Sequence, residues 1–460
     1  MGITFESDSQ DVDPKKAPSR ARQLVHTNDT LFSCVRVYLE NVARVPQTLD
    51  QQIASTAFAV LRPADGIDPG YLFWLTRRST FIHEMTEAQR GNSPPAVLES
   101  EVKSATVPIA PTAEQSRIAA KIDELFGEIE AGEQELEQAR QGLAAYRRAV
   151  LKAAVTGELT RDWREANAPN ETGQDFADRI LKTRRRKLNS TNRRNPSEPV
   201  PPDAEFICEL PRGWTWMSLD QVSVKMTSGS RAWSRFYDRG NSIFIMAQNV
   251  RPGRFDASYR QLVDPPLDDP ERRRTLVARD DLLVTIVGAN TGDVCRLNVD
   301  LEDHYVCQSV ALIRPVDSFL SEYLELFFIA DEGAQRQFRK HIYGAGRPHL
   351  SFDQLRAIAI SLPPEREQRQ IVSLYRTIAD AIDELNEQIT AAAVNASQLR
   401  QSVLSAAFSG RLVRQEAGDE PASALLKCLR MEHDGTTRGR PKKRANADRG
   451  TAFDGVEAST

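Results

Sequence analysis

Residues 111–129 read PTAEQSRIAAKIDELFGEI, and residues 364–382 read PEREQRQIVSLYRTIADAI. Few letters agree, yet the agreement continues at a constant offset of 253 through Gly157/Gly410 and Leu159/Leu412. In the first copy Ile118, Ile122, Leu125, Ile129, Gly132, Leu136, Ala139, Leu143, Tyr146 and Val150 recur at alternating spacings of 4 and 3, and only Gly132 interrupts the apolar seam. Adding 253 gives Ile371, Tyr375, Ile378, Ile382, Leu385, Ile389, Ala392, Ala396, Leu399 and Val403, all apolar or aromatic. Such spacing is the a/d seam of a coiled coil. At 1.5 Å per residue each helix would be roughly 50 Å long. Proline opens both copies (Pro111; Pro363 and Pro364), and Gly157 or Gly410 stands near the far end.

Neither helix can bury its seam alone. Each could lie on its own domain, or the two could pair with each other; the shared length and phase favour pairing. The repeat also reaches upstream. LFSCVRVYLENVARV (31–45) lines up with VTIVGANTGDVCRL (284–297), and ASTAFAVLRP (54–63) with VCQSVALIRP (306–315). These segments, rich in β-branched and aromatic residues between turn signals, read as short strands. YLFWL (71–75) and YLELF (323–327) read as helix starts. Each half is therefore a mixed α+β domain followed by a long helix.

The chain has 460 residues, 40% of them apolar and 27% charged, enough for several domains. There is no run of 18 apolar residues and no signal-peptide pattern, which argues against membrane or secretory routes. Five scattered cysteines (Cys34, Cys208, Cys295, Cys307, Cys428) suit free thiols in a reducing cytoplasm, not a zinc site. The net charge of −4 is unevenly distributed along the chain.

With this domain–helix–domain–helix order the chain resembles the specificity (S) subunits of type I restriction-modification systems. PTAEQSRIAAKIDELF…YRRAVLKAAVTGELT and PPEREQRQIV…LRQSVLSAAFSGRLV are similar to that family's central and distal spacers. LPRGWTWMSLDQV (210–222) resembles the opening of a target-recognition domain; VRVYLENVARV, QRGNSPPAV (89–97) and YGAGRPHLS (343–351) resemble segments near a domain's end. The resemblance implies an α+β fold: two target-recognition domains, the first incomplete, separated by two long antiparallel coiled-coil spacer helices with pseudo-two-fold symmetry. The implied division is 1–107 for the first recognition domain, 108–165 for the central spacer helix, 166–205 for a basic, proline-rich connector, 206–360 for the second recognition domain, 361–415 for the distal spacer helix and 416–460 for a polar basic tail. It further implies that each domain reads half of a bipartite sequence in double-stranded DNA. Two methyltransferase (modification) subunits would dock on the spacers, and restriction/translocase subunits would join them. S-adenosylmethionine, ATP and Mg would belong to those partners, with none bound by this cytoplasmic chain itself. One departure stands out. Subtracting 253 from Leu210 gives −43, so a counterpart of the LPRGW opening would fall before Met1. A start site placed too far downstream, a gene rearrangement or a short form of the subunit would each account for it.

Binding DNA calls for cations facing phosphates and for flat or bidentate side chains facing base edges. In SGSRAWSRFYDRG (228–240), Arg231, Arg235 and Arg239 alternate with Trp233, Phe236 and Tyr237, and Arg251, Arg254, Tyr259 and Arg260 follow. This pattern reads as a groove-facing loop or as a solvated surface with core anchors. Arg347 sits in a glycine-bounded loop whose first-half counterpart holds Arg90 and Asn92; Arg20, Arg22 and Arg36 are weaker candidates. The basic stretch 183–202 reads as a flexible connector, and RGRPKKR (438–444) as a disordered tail or a minor-groove hook.

Catalytic signatures do not emerge. There is no phosphate-binding P-loop and no dinucleotide fingerprint, and HEMTE (83–87) lacks the second histidine of a zinc helix. Asp264-Pro265-Pro266-Leu267 resembles the D-P-P-aromatic tetrapeptide of adenine methyltransferases, but it ends in leucine and no glycine-rich cofactor motif precedes it. The expectation is a non-catalytic recognition subunit. Its rivals are a coiled-coil scaffold that binds only protein, and an enzyme with an unrecognised site.

Overall fold

The structure, a computed structural model, describes residues 12–13, 16–91, 94–167, 171–189, 198–229, 232–301, 303–344 and 348–438. It divides into two units, Met1–Glu137 with Thr390–Thr460, and Gln138–Ile389. The first unit contains β1 (Ala21–Leu24), β2 (Thr30–Ser33), β3 (Val42–Arg44), β4 (Ile53–Ser55), β5 (Phe58–Leu61) and α1 (Pro69–Thr76). Next comes the long helix α2 (Thr112–Thr156), which passes from the first unit into the second. The second unit continues with α3 (Gly173–Asn189), β6 (Thr215–Ser218), β7 (Ser223–Ser228), β8 (Tyr237–Ile245), β9 (Leu282–Thr285), β10 (Val294–Arg296), β11 (Tyr305–Val306), β12 (Val310–Pro315), α4 (Phe319–Ile329) and β13 (Ala359–Leu362). The second long helix, α5 (Glu365–Phe408), returns to the first unit, which ends with α6 (Ala422–Arg438).

The two units share one strand register. In the first, β2 is central to a sheet ordered β3-β2-β5; in the second, β9 holds that place in a sheet ordered β10-β9-β12-β7. The pairs Thr30↔Arg44, Leu31↔Ala43 and Phe32↔Val42 become Leu282↔Arg296, Leu283↔Cys295 and Val284↔Val294 when 252 is added. The same shift converts Thr30↔Leu61 and Phe32↔Ala59 into Leu282↔Ile313 and Val284↔Ala311. A slip of one residue would turn every side chain to the other face, so a common register means a common pair of faces.

An internal ion pair repeats with the strands. Asp281 accepts hydrogen bonds from Arg314 Nε (2.7 Å) and Nη2 (2.6 Å) and from the Ala278 amide (2.7 Å). Asp29 accepts from Arg62 Nε (2.9 Å) and Nη2 (2.7 Å) and from the His26 amide (2.8 Å). Both carboxylates are 1% exposed. A buried carboxylate is tolerated only when its lone pairs are filled, and here a bidentate guanidinium and a backbone amide fill them.

The long helices pair as their seams require. In the first unit Ile118, Ala119 and Ile122 of α2 share a core with Val403, Leu404 and Ala407 of α5, and Arg400 Nη2 donates to Glu133 Oε2 at 2.8 Å. In the second, Val150, Leu151 and Ala154 meet Ile371, Val372 and Tyr375, and Arg147 pairs with Asp383. In both units α2 residues rise in number as their α5 partners fall, so the pairing is antiparallel. Ile129 and Ile382 are also buried, and Leu125, Leu136, Leu143, Ile378 and Ile389 are partly so. Leu385, expected in the seam, is 45% exposed. A pair of helices covers only a narrow stripe, and short or polar neighbours such as Ala381, Glu384 and Gln388 do not widen it.

Two expectations need correction. The basic connector contains α3, whose Phe176, Ala177, Ile180 and Leu188 are buried; even Arg184 is buried, donating from Nε to the Ser223 carbonyl at 3.0 Å. Residues 190–197 of that stretch lie outside the described residues. The expected polar tail contains α6, whose Leu425 packs against Gly66. α3 reads as solvent-facing because arginine and lysine crowd it, and α6 because it lies in a polar, charged stretch, yet each has one apolar edge at helical spacing. Most of RGRPKKR lies outside the described residues.

The repeated ion pair gives a graded prediction. Asp281→Ala strands a guanidinium and an amide and is expected to cost about 2–4 kcal/mol. Asp29→Ala is expected to cost less, about 1–2 kcal/mol, because the Arg62 side chain is 54% exposed and water replaces its partner. Urea unfolding followed by a probe in each unit measures both; equal costs would contradict this account.

Candidate nucleic-acid interface

In the second unit the β9 sheet is covered on both faces. Leu282 and Val284 point into the core built with α4 and the long helices. Leu283 points into a second core with Trp233, Phe244, Ile245, Val250, Val263 and Tyr305. That second core anchors the segment expected to meet DNA.

Trp233 belongs to the anchor. It is 1% exposed, lies edge-on to Tyr305 at 5.3 Å, and donates from Nε1 to Asp269 Oδ2 at 2.8 Å. Its candidacy as a DNA contact is corrected in favour of the core-anchor alternative: a large apolar ring beside Phe244 and Tyr305 is held inside, with its one polar atom satisfied. Its neighbour Arg235 is exposed, with its guanidinium 4.8 Å from the Phe236 ring centroid. Tyr237, which opens β8, is half-buried against Phe244, and burial raises its pKa, so its hydroxyl stays protonated at neutral pH. Arg239 is exposed and makes no side-chain hydrogen bond or ion pair among the described residues.

Arg251 and Arg254 stand directly opposite each other in a hairpin turned by Gly253 at φ +69°. Like charges in that position repel. Asp256, 3.7 Å from Arg254, offsets part of this, and its own carboxyl is held below the usual range, mainly by its bonds to Ser258. A polyanion across the hairpin would relieve the rest. The sequence reading passed over Arg273, which is exposed on the short helix Pro270–Thr275 and has no side-chain partner among the described residues. The run ERRR was its available signal. Arg231, Asn92 and Arg347 lie outside the described residues.

In the first unit Arg90 is exposed but paired with Glu101 at 2.5 Å, which reduces its free charge. The loop after β2 turns at Arg36 (φ +53°) and Glu40 (φ +53°), where the second unit's equivalent loop has Gly288 (φ +114°) and Gly292 (φ +101°). A left-handed backbone costs a residue with a Cβ about 1 kcal/mol or more. Each loop is tied to its neighbour in the same way: the Arg36 amide donates to the Pro95 carbonyl, and the Gly288 amide to the Pro348 carbonyl, both at 3.0 Å. Arg36, a weak candidate by sequence, is thus held outward at a strained turn.

Among the described residues no three His, Cys, Asp or Glu side chains converge as a metal site, and no helix is long and apolar enough to cross a membrane. What the second unit offers is exposed guanidiniums, those of Arg235, Arg239, Arg254 and Arg273, beside a buried aromatic core. Such a surface can bind phosphates and read base edges.

Comparison with known proteins agrees with this. Residues 273–393 match the family described as "Type I restriction modification DNA specificity domain". The chain is 25% identical over 382 residues to the type I restriction enzyme EcoDI specificity subunit of Escherichia coli, covering 79% of this chain and 76% of that protein. It is 24% identical over 385 residues to the EcoKI specificity subunit of Escherichia coli strain K12, covering 81% and 74%. Among solved structures, one chain from a study of the assembly and conformational transition of a type I R-M system superimposes with a TM-score of 0.65 at 24% identity, covering 86% of each chain. The HsdS subunit from Thermoanaerobacter tengcongensis gives a TM-score of 0.53 at 24% identity, covering 86% of this chain and 85% of that one. With the repeated sheet and the two long helices, the chain is similar to the specificity subunits of type I restriction-modification systems, and residues 273–393 match that family's DNA specificity domain.

Proposed function

We propose that this chain is the DNA sequence-recognition subunit of a cytoplasmic type I restriction-modification complex, one that reads a bipartite target with one half per unit. The observation that carries the reading is the shared register. Two α+β units present the same pair of sheet faces and loops, and each is followed by a long helix whose seam needs a partner. The curated relatives are specificity subunits of restriction enzymes. In this reading two modification subunits dock on the long helices and restriction subunits join them. Methyl transfer, ATP-driven translocation and cleavage, with their S-adenosylmethionine, ATP and Mg, belong to those subunits. This chain binds DNA and orients its partners.

Mapping methylated adenines genome-wide after co-expression with the cognate modification subunit tests the role. A bipartite motif with a fixed gap is expected; absence of any motif would point to a protein scaffold instead. Within the second unit, Arg235→Ala and Arg239→Ala are each expected to weaken DNA binding about three- to tenfold and to lower the salt slope by about 1. Trp233→Ala is expected to act differently, costing about 3–5 kcal/mol of stability. Titrating DNA at several salt concentrations, with urea unfolding alongside, separates the two classes. An Arg235 variant with unchanged salt slope would remove that residue from the interface.

A further inference from the structure

Lys225 on β7 is a cation without an anion of its own. It stands directly opposite Arg314 of β12 in the antiparallel register, where like charges repel. Its Nζ donates to the Arg273 carbonyl at 3.4 Å and the Leu276 carbonyl at 3.5 Å, both longer than an ordinary N–H···O bond. The two carboxylates of this cluster are committed to guanidiniums: Asp281 to Arg314 at 2.6 Å, and Glu271 to Arg274 at 2.5 Å. Arg274 also donates to Thr227 Oγ1 and to the Ser228 carbonyl, which brings its charge onto β7. From α3, Arg184 reaches the Ser223 carbonyl and Asp220, and Lys187 reaches the Val316 carbonyl. Burial pushes the Lys225 ammonium down to about 8; Arg314 and Arg274 push the same way, and Asp281 opposes them.

The cluster is joined to the arginines already placed at the candidate interface. Lys225 is partly exposed, and Arg273, whose carbonyl it touches, is exposed with no side-chain partner among the described residues. The short helix that carries Arg273 is tied to the segment that carries Arg235. Its capping residue Asp269 accepts from the Glu271 amide and from Trp233 Nε1, both at 2.8 Å. Arg235, Arg273 and Lys225 therefore hang on one anchor.

We infer that Lys225 and Arg273 hold a phosphate of the DNA backbone between them, and that binding it takes up a proton at Lys225. This rests on the proposed recognition role and adds to it a contact and a pH dependence. A phosphodiester accepts from both cations, offsets the repulsion among Lys225, Arg314 and Arg274, and keeps the Lys225 amine charged. Such a contact fixes position on the duplex without reading its sequence. The free amine loses its proton as pH rises through 8 and the bound one keeps it, so affinity falls over that range.

The test titrates a labelled mixed-sequence DNA duplex with the full chain at pH 7 and pH 9, at constant low ionic strength. Binding is expected to be about tenfold weaker at pH 9, the factor for an amine that titrates near 8 when free and at the ordinary lysine value when bound. Lys225→Arg, always charged, is expected to match the native chain at pH 7 and to lose the pH dependence. Lys225→Gln is expected to bind about three- to tenfold more weakly at pH 7, with a salt slope lower by about 1 and no pH dependence. Arg273→Ala is expected to cost a similar factor, and the double variant less than the product of the two, because they share one phosphate. A pH dependence that survives in Lys225→Arg, or a salt slope unchanged in Lys225→Gln, would overturn the proposal and leave the recognition role standing. No DNA binding at either pH would overturn both. If inorganic phosphate at matched ionic strength displaces the duplex from the native chain but not from Lys225→Gln, the site is one for free phosphate and the backbone assignment falls.

Discussion

A helix with an apolar stripe along one side is not stable in water by itself, and this chain contains two of them. Residues 112–156 and 365–408 gain their stability by pairing seam to seam, because propensity alone leaves an isolated helix marginal. Their pairing brings chain segments separated by about 250 residues into the same cores. Ile118 and Ile122 contribute to the core beneath β2, and Ile371 and Tyr375 to the core beneath β9. Each α+β unit is thus completed by residues from both long helices. A domain cut out at its sequence boundaries would lose the core residues that the other long helix supplies.

The same dependence governs the helices that follow each seam. α3 leaves the first long helix and packs within the second unit, where Phe176 lies 6.0 Å from Phe319 and Arg179 pairs with Glu365 at 2.9 Å. α6 leaves the second long helix and packs within the first unit, where Leu425 lies on Gly66 and Arg117 pairs with Asp419 at 2.5 Å. Both contacts combine an apolar anchor with an ion pair at the start of a long helix. The exposed ion pairs add little energy individually, so the apolar anchors carry most of the attachment and the charges set its register.

Much of this was legible in the sequence. The alternating 4, 3 spacing marked both long helices, and YLFWL and YLELF fell in α1 and α4. The strand segments matched at nearly the same offset, and the structure turns that weak letter match into an identical ladder. What escaped detection depended on which way a side chain points. Arginine and aromatic residues alternate through 231–237, but Trp233 is internal and Arg235 external, and composition does not separate them. Arg184 lay in a basic run and is a buried hydrogen-bond donor. Asp29/Asp281 and Arg62/Arg314 are identical letters at the repeat offset, so the internal polar contacts had a signal. It becomes interpretable only once burial is known.

The overall charge of −4 conceals how the charges are used. Many acids are already committed: Glu133 to Arg400, Asp383 to Arg147, Glu365 to Arg179 and Arg369, and Asp281 to Arg314. These pairs hold the helices and sheets together and contribute little field beyond their own contacts. The exposed guanidiniums of Arg235, Arg239 and Arg273 have no such partner among the described residues. At physiological salt, charge is felt over roughly 8 Å, so a DNA phosphate responds to the nearby cations and not to the sum over the chain. A slightly acidic protein can therefore bind a polyanion wherever its acids are paired internally and its arginines are left facing solvent.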